Sequence, residues 1–482
     1  MDRVFLDRII SARHHVATMK FTLFRKKVSP PSLVTEEVAP KKQKIDTLKA
    51  GKLASLALSL TDKLITTYGP RIAGTEASRK TALDLETELK EFCDTTEYTE
   101  FSMHSEAYTL WLKLMVIVYP VVLLFSWFGL PILALMLYGG FCIYVAREFF
   151  FFKPVCEKYT PSTLGANVHG VIEPKEEVRH TIIFSGHHDS ARLYQYNKLD
   201  REEYAKKVLL PIILFILLGF SSVVQFLVEL LSGRLFSFNF PPLANIILNV
   251  LLTLGIPLLL PLLHFVSDKG SPGAGDNLVS SCMSVQLSRF FDWKRKCGKP
   301  LEHTRLIFCS FDGEEVGLRG SRAWFQKNVS LLEDPIMLNF DSPYYADELT
   351  FLERDVNGFQ PLSSNLARRC VKIARDMGYK ATSEALPLFA GGTDAAEAYR
   401  SGVEASTLTG IVWDDRSRPA VYHTPDDLVS SIEPKAIEQA LSIAIRLVEL
   451  FDAEALYDES EPIVKQDQDE GPDLVFSKLS IR

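Results

Sequence analysis

Two adjacent carboxylates, Glu314 and Glu315, follow an apolar run (Leu306, Ile307, Phe308) inside the stretch FDGEEVGLRGS, Phe311 to Ser321. Neighbouring side chains leave the backbone in different directions, so a glutamate pair at a strand end does not share one task. One can hold a cation while the other stays free to move a proton. Other groups that could join them stand where apolar segments give way to turns. His187 and Asp189 lie in Gly186-His187-His188-Asp189-Ser190, after the Thr181 segment, and Asp276 opens a helix in Gly273-Ala274-Gly275-Asp276-Asn277. Asp341 follows the Ile336–Phe340 segment, and His423 stands in Tyr422-His423-Thr424-Pro425 before a helix. A histidine with an aspartate two residues on suits a metal ligand whose tautomer a carboxylate fixes. Taken singly, these residues read as a solvated loop, helix caps or a core histidine. Taken together, His187, Asp276, the glutamate pair, Asp341 and His423 suit a site for two zinc ions, with a shared carboxylate holding them about 3.5–4 Å apart.

The elements that must position these groups alternate strand and helix. The stretch Asp46 to Phe92 reads as helical with a loop at Gly69, Pro70 and Gly74, and Tyr98–Met103, Ala166–Ile172, Thr181–Ser185, Arg305–Phe311 and Ile336–Phe340 read as strands. Helices are expected over Leu278–Trp293, after Gly320, over Leu362–Met377 and over Pro434–Phe451. The pattern predicts an α/β fold: a mixed, mostly parallel sheet flanked by helices, with the site at strand ends.

Two apolar hairpins interrupt that pattern. Residues 108–146 carry little charge beyond Lys113 and turn at Gly129, Leu130 and Pro131; residues 208–266 turn through Arg234, Pro241 and Pro242. Each run approaches the roughly 20 residues that cross a bilayer, so four transmembrane helices are expected, with a lipid bilayer as partner. A catalytic domain then comprises 46–107, 147–207 and 267–453, between a basic arm and linker (1–45) and an aperiodic acidic tail (454–482). The basic residues Arg147, Lys153, Lys158, Arg201, Lys206 and Lys207 stand between the hairpins, which by the positive-inside rule makes the domain cytoplasmic. Among 482 residues, 47% are hydrophobic and net charge is −7, with no basic stripe interleaved with aromatics, so nucleic acid is not an expected partner. The seven cysteines are scattered without a CxxC pair, which argues against a disulfide framework or a cysteine zinc site.

In order along the chain, HHDS, GAGDN, DGEEVGLRGS, the aspartate after the Ile336 strand and YHTPDD resemble the motifs of the M28 family of dizinc aminopeptidases. The resemblance runs from YGPRIAGTEAS (Tyr68 to Ser78) to the last helix. It implies a zinc aminopeptidase-like fold and two Zn2+ ions, with Asp276 bridging them, His187 and Asp341 completing one site, and Glu315 and His423 the other. Glu314 becomes the general base and Asp189 the partner that orients His187; His188 is not a ligand by this match. The implied function is peptide hydrolysis by an exopeptidase, with a peptide as substrate. Asp394, in Gly391-Gly392-Thr393-Asp394, lies where the family places residues near the substrate, although a helix cap explains it equally well. Two departures stand out: Gly275, where the family more often has an acidic residue, and the hairpins.

Three other functions compete. A non-catalytic receptor or scaffold would lack ligands, a glutaminyl cyclase-like enzyme would use a single zinc, and a transporter would need ionisable groups inside the membrane. Glu229 and His264 stand near span ends, which reads as structural. Both hairpins leave the chain near metal-face residues, provided that the Tyr98 and Ala166 segments pair antiparallel with the Thr181 strand beside them. The site is then expected to look towards the membrane and to take short, hydrophobic or membrane-proximal peptides. The sequence is compatible with a homo-oligomer.

Overall fold

The computed structural model describes residues 47–196, 201–235, 240–412 and 421–453; the arm and the tail lie outside them. Before the first hairpin come α1 (Thr47–Tyr68), α2 (Glu76–Lys90) and β1 (Thr95–Met103); the hairpin itself is α3 (Leu110–Trp127) and α4 (Pro131–Val145). Between the hairpins lie β2 (Thr163–Ile172), β3 (His180–His187) and β4 (Arg192–Tyr194). The second hairpin contains α5 (Leu210–Leu231) and α6 (Leu243–Leu254) and returns through β5 (Val266–Gly270). Then follow α7 (Val279–Lys296), β6 (Thr304–Phe311), α8 (Arg319–Asn328), β7 (Pro335–Phe340), β8 (Thr350–Asp355) and β9 (Gln360–Pro361). The chain continues with α9 (Ser364–Asp376), β10 (Thr382–Ala385), α10 (Ala395–Arg400), β11 (Glu404–Thr409) and α11 (Pro434–Asp452).

The main sheet runs β1-β2-β6-β3-β7-β11-β8-β10, with β9 on β8. Its centre, β6-β3-β7-β11, is parallel. The edges turn antiparallel: β1 to β2, β2 to β6, and β8 to β11. The Thr181 strand does not lie beside the Ala166 strand as expected, because β6 inserts between them. β6 is apolar on both sides, and a central place buries both faces where a place next to the edge would not. Alternate residues of β3 and β6 go to opposite cores: Ile182, Phe184, Leu306 and Phe308 to one, Ile183, Ile307 and Phe311 to the other. Helices α1, α7 and α11 cover the first face, and α8 and α10 the second.

The hairpins form a bundle with its own core of Leu112, Met115, Tyr119, Phe141, Phe215, Leu218, Leu252 and Leu259. Three helices, Ala107–Trp127, Pro131–Phe150 and Glu202–Leu231, are long and apolar enough to cross a membrane. The stretch expected as a fourth span is broken: α6 ends at Leu254, a 3-10 helix covers Ile256–His264, and the pieces meet at a 40° bend. Gly255 begins the break, and Pro257 and Pro261 lack the N–H that an α ladder would need. Glu229, near the end of α5, packs inside the bundle. It is buried, with Gln225 Nε2 donating to its Oε1 at 2.9 Å.

Both hairpins spring from one end of the sheet. β2 pairs antiparallel with β6, so the β1–β2 end that carries the first hairpin lies beside the carboxyl end of β6. The second hairpin rises on the β4–β5 ribbon, in which Arg192 faces Gly270 and Tyr194 faces Val266. The exit of the first is fastened to the glutamate loop. Glu148 is fully buried and meets Arg319 Nη2 at 2.7 Å, and its other oxygen accepts from Val155 N at 2.6 Å. Arg319 N in turn donates to Gly313 O at 2.9 Å, closing the turn that carries Glu314 and Glu315. Arg319 Nε also lies 3.0 Å from Glu157 Oε1, so the guanidinium keeps one carboxylate when Glu148 is removed. Losing the fully buried partner and its charge-assisted hydrogen bond in Glu148→Ala should destabilise the protein by about 1.5–3 kcal/mol. Denaturation in detergent reads this as a lowered midpoint; an unchanged midpoint contradicts it.

Candidate metal centre

The parallel strands end together, and their loops bring the chemical groups to one place. His187 is the last residue of β3, Glu314 and Glu315 follow β6, and Asp341 follows β7. Asp276 lies in the tight turn between β5 and α7, and its Oδ1 stands 3.4 Å from His187 Nε2 while Oδ2 stands 2.9 Å from His423 Nε2. The two glutamates splay as adjacent side chains must: Glu314 Oε2 lies 3.6 Å from His187 Nε2, and Glu315 Oε2 lies 3.3 Å from His423 Nε2. Asp341 Oδ2 is 4.0 Å from His187 Nε2. Two ligand sets result, His187–Asp276–Asp341 and Asp276–Glu315–His423, and a third grouping, His187–Glu314–Glu315, overlaps them.

The donor set fits metal ions. His187 Nε2, His423 Nε2, Asp276 Oδ2 and Glu315 Oε1 are buried, and beyond the ion-pair contacts with one another none makes a well-aligned hydrogen bond. Such atoms are costly unless something else engages them. Burial pushes the Glu314 and Asp341 carboxyls well above their ordinary range, and neighbouring carboxylates push the same way. Burial would lower both imidazoles, yet they are held far above the usual value, His187 by Glu314, Asp189 and Asp276 and His423 by Glu315 and Asp276. Burial likewise opposes ionisation of Asp276, but the two imidazoles overcome it and lower its pKa. Crowded carboxylates with two inward imidazole nitrogens make a site for divalent cations, and mixed nitrogen and oxygen donors suit zinc.

The surrounding groups fix the ligands. His187 Nδ1 lies 3.2 Å from the Asp189 carbonyl oxygen and 3.3 Å from its Oδ1, which keeps the hydrogen on Nδ1 and the lone pair of Nε2 towards the site. The Asp189 carboxylate also accepts from Glu314 N at 3.3 Å and Glu315 N at 3.2 Å, so it orients the histidine and the glutamate turn together. His188 turns away, with Nδ1 2.8 Å from Ser310 Oγ, and burial depresses it to about 3. Gly275 explains itself: a Cβ there would meet the Tyr344 ring at 2.0 Å. His423 holds a left-handed backbone (φ 54), a conformation that costs about 1–3 kcal/mol.

Two residues of this apparatus escaped the sequence reading. Arg71 is fully buried, and its guanidinium donates to His188 O at 2.8 Å, Gly69 O at 2.9 Å, Pro272 O at 2.9 Å and Gly273 O at 2.8 Å. It ties the His187 loop to the Asp276 loop. Asp427 accepts from Gly275 N at 2.8 Å and Asp276 N at 3.2 Å, and burial pushes it up to about 7. Both belong to quoted motifs, YGPRIAG and YHTPDD, which were the available signal. Asp394 precedes α10 but makes no capping hydrogen bond; both of its oxygens are buried, with the Ser321 side chain beside them. A cleft of about 450 Å³ opens beside His423, walled by Tyr194, His264, Val266 and Lys269. Tyr108, at the root of the first hairpin, and Tyr194, at the root of the second, line a smaller cavity against Glu315.

Residues 260–448 match the model of peptidase family M28. That span holds Asp276, both glutamates, Asp341 and His423, whereas His187 and Asp189 lie before the second hairpin and outside it. No curated protein matches the chain. Among solved structures, a zinc-dependent exopeptidase from Parabacteroides distasonis is 12% identical, covering 82% of this chain and 97% of its own, with a TM-score of 0.48. A zinc aminopeptidase from Bacillus subtilis is 13% identical (83% and 95% covered, TM-score 0.48). A glutaminyl cyclase from Tannerella forsythia is 14% identical (84% and 99% covered, TM-score 0.48).

An Asp427→Asn substitution leaves one oxygen to serve two backbone N–H groups and sets an amide against them. Zinc affinity should fall by roughly 10–100-fold, the usual cost of losing a group that holds a ligand in place. Competition with a chromogenic chelator measures it, and an unchanged affinity contradicts the role given to Asp427.

Proposed function

We propose that this chain, whose residues 260–448 match the M28 peptidase model, is a membrane-anchored zinc exopeptidase that removes residues from the free amino end of peptides. The observation that carries the reading is Asp276, with one oxygen facing His187 and the other facing His423. In this reading the His187–Asp276–Asp341 and Asp276–Glu315–His423 sets each hold one zinc. Bound there, two zinc ions supply Lewis acidity towards the scissile carbonyl and make water more acidic.

The chain's own groups then divide the work. Glu314 belongs to neither set and is the general base: its carboxylate takes a proton from the attacking water and returns it to the leaving amine. Asp189 holds His187 and both glutamate backbones at fixed positions, so the base and the ligands do not drift apart. Asp394, a buried carboxylate with no cation paired to it and close enough to raise Glu314 and Asp341 further, is assigned to the substrate's free ammonium.

The bundle's outer surface supports the membrane part. Ile117 (60%), Met136 (69%), Phe220 (64%) and Leu254 (70%) are exposed on it. An apolar surface of this extent is tolerable only when covered, and hydrocarbon is what covers a four-helix hairpin pair of this composition. Since both hairpins rise from the metal end of the sheet, the cleft opens towards the bilayer and receives hydrophobic or membrane-proximal peptides. The basic residues at the near ends of the spans, Arg147, Lys206 and Lys207, support a cytoplasmic domain by the positive-inside rule.

Purified protein should release amino acids from unblocked hydrophobic peptides and none from acetylated ones, and a zinc chelator should abolish release. Glu314→Gln should lower kcat by about 10²–10⁴-fold while metal content stays unchanged. Full activity in Glu314→Gln would overturn the mechanism, and cyclisation of amino-terminal glutamine in place of release would assign the chain to the competing chemistry.

A further inference from the structure

Beyond the hairpins, the domain carries an apolar patch that the site does not use. The span Pro131–Phe150 ends in consecutive aromatics. The Phe150 ring meets Phe389 edge-on with centroids 5.4 Å apart, and Phe151 meets Phe359 at 5.3 Å. Phe389 and Leu388 form the tip of a turn after β10, and Phe359 tips the β8–β9 turn. All three point outward, Leu388 55%, Phe389 62% and Phe359 47% exposed.

Neither turn is loose. Asn357 N donates to Gly391 O at 2.7 Å, Gly391 N donates to Asn357 Oδ1 at 3.2 Å, and Leu386 N donates to Arg354 O at 2.9 Å. Asn357 Nδ2 also donates to Phe150 O at 3.1 Å, and Arg400 Nη2 donates to Phe151 O at 2.8 Å. These bonds lock the tips to the point where the span ends. Phe389 has a left-handed backbone (φ 69), a position where glycine or asparagine is the usual solution. Apart from its edge-on contact with Phe150, a phenylalanine held there leaves 62% of its surface exposed, which contributes little to folding. Exposed Lys153 and Lys158 flank the span end, and Lys158 Nζ lies 4.9 Å from the centre of the Tyr159 ring.

We propose that the Leu388–Phe389 and Phe359 tips are a third membrane contact, lying in the interfacial layer of the bilayer that the hairpins enter, with the flanking lysines at the phosphates. Rings at the end of a span sit at headgroup level by continuity with it, and interfacial apolar faces bury about 5–10 Å into that boundary. The contact widens the domain's footing on the membrane beside the exit of the first hairpin, which limits rocking about that exit. The inference rests on the membrane reading above.

The test places the full chain in phosphatidylcholine nanodiscs with or without bromine on the acyl chains near the headgroup. It follows tryptophan emission relative to the unsubstituted protein. Three sites are compared: Phe389→Trp, Met136→Trp on the outer face of α4, and Leu331→Trp, which is 67% exposed elsewhere on the domain. Leu388→Trp stands in if Phe389→Trp does not fold. The expected result is loss of most of the added emission at 389 and 136, with none lost at 331. Quenching at 136 but not at 389 or 388 overturns the contact while leaving the anchor intact. Quenching at neither overturns the membrane reading itself. Blue-shifted emission at 389 that bromine leaves untouched means that protein, a partner or a second copy, covers the patch, and it also overturns the proposal.

Discussion

One buried carboxylate organises the molecule. Asp276 lies between two imidazole nitrogens from distant parts of the chain, His187 before the second hairpin and His423 near the last helix. Negative charge at that depth is tolerable only with cations beside it. The rest of the site can be understood as the means of keeping it there. Asp427 holds its backbone, Arg71 ties its loop to that of His187, and Asp189 brings the glutamate turn to meet it.

The hairpins share in that support. The glutamate turn is closed by Arg319, and Arg319 pairs with Glu148 at the exit of the first hairpin and with Glu157 just beyond it. On the other side, Tyr194 stacks on Phe265 at 4.9 Å and meets the His423 ring edge-on at 6.2 Å, so the foot of the second hairpin touches a candidate ligand. Each insertion thus packs against a group of the centre, and neither hangs from the domain on a free linker.

Much of this was legible because it follows from position along strands. Central strands are apolar on both faces, and groups at their carboxyl ends converge whatever the helices between them do. β11 escaped notice although it is central, because Ser406, Thr407 and Thr409 break its apolar pattern. Two of the hydroxyls are satisfied inside the fold: Ser406 Oγ donates to Leu352 O at 2.9 Å, and Thr407 Oγ1 accepts from Asn339 Nδ2 at 3.3 Å. Arg71 and Asp427 were illegible for a related reason: they bond to backbone carbonyls and amides, which any sequence supplies. The place of β6 between β2 and β3 depends on pairing between segments more than a hundred residues apart, and no local pattern encodes that. The kink after Leu254 could have been read from Gly255, Pro257 and Pro261, but length and hydrophobicity outweighed them.

The central claim is that Asp276 is shared by two metal ions. Anomalous diffraction at the zinc edge from crystals of the full chain tests it most directly. The account predicts two peaks about 3.5–4 Å apart on either side of Asp276, one against His187 and Asp341 and the other against Glu315 and His423. A single peak, or two that do not both contact Asp276, would contradict it.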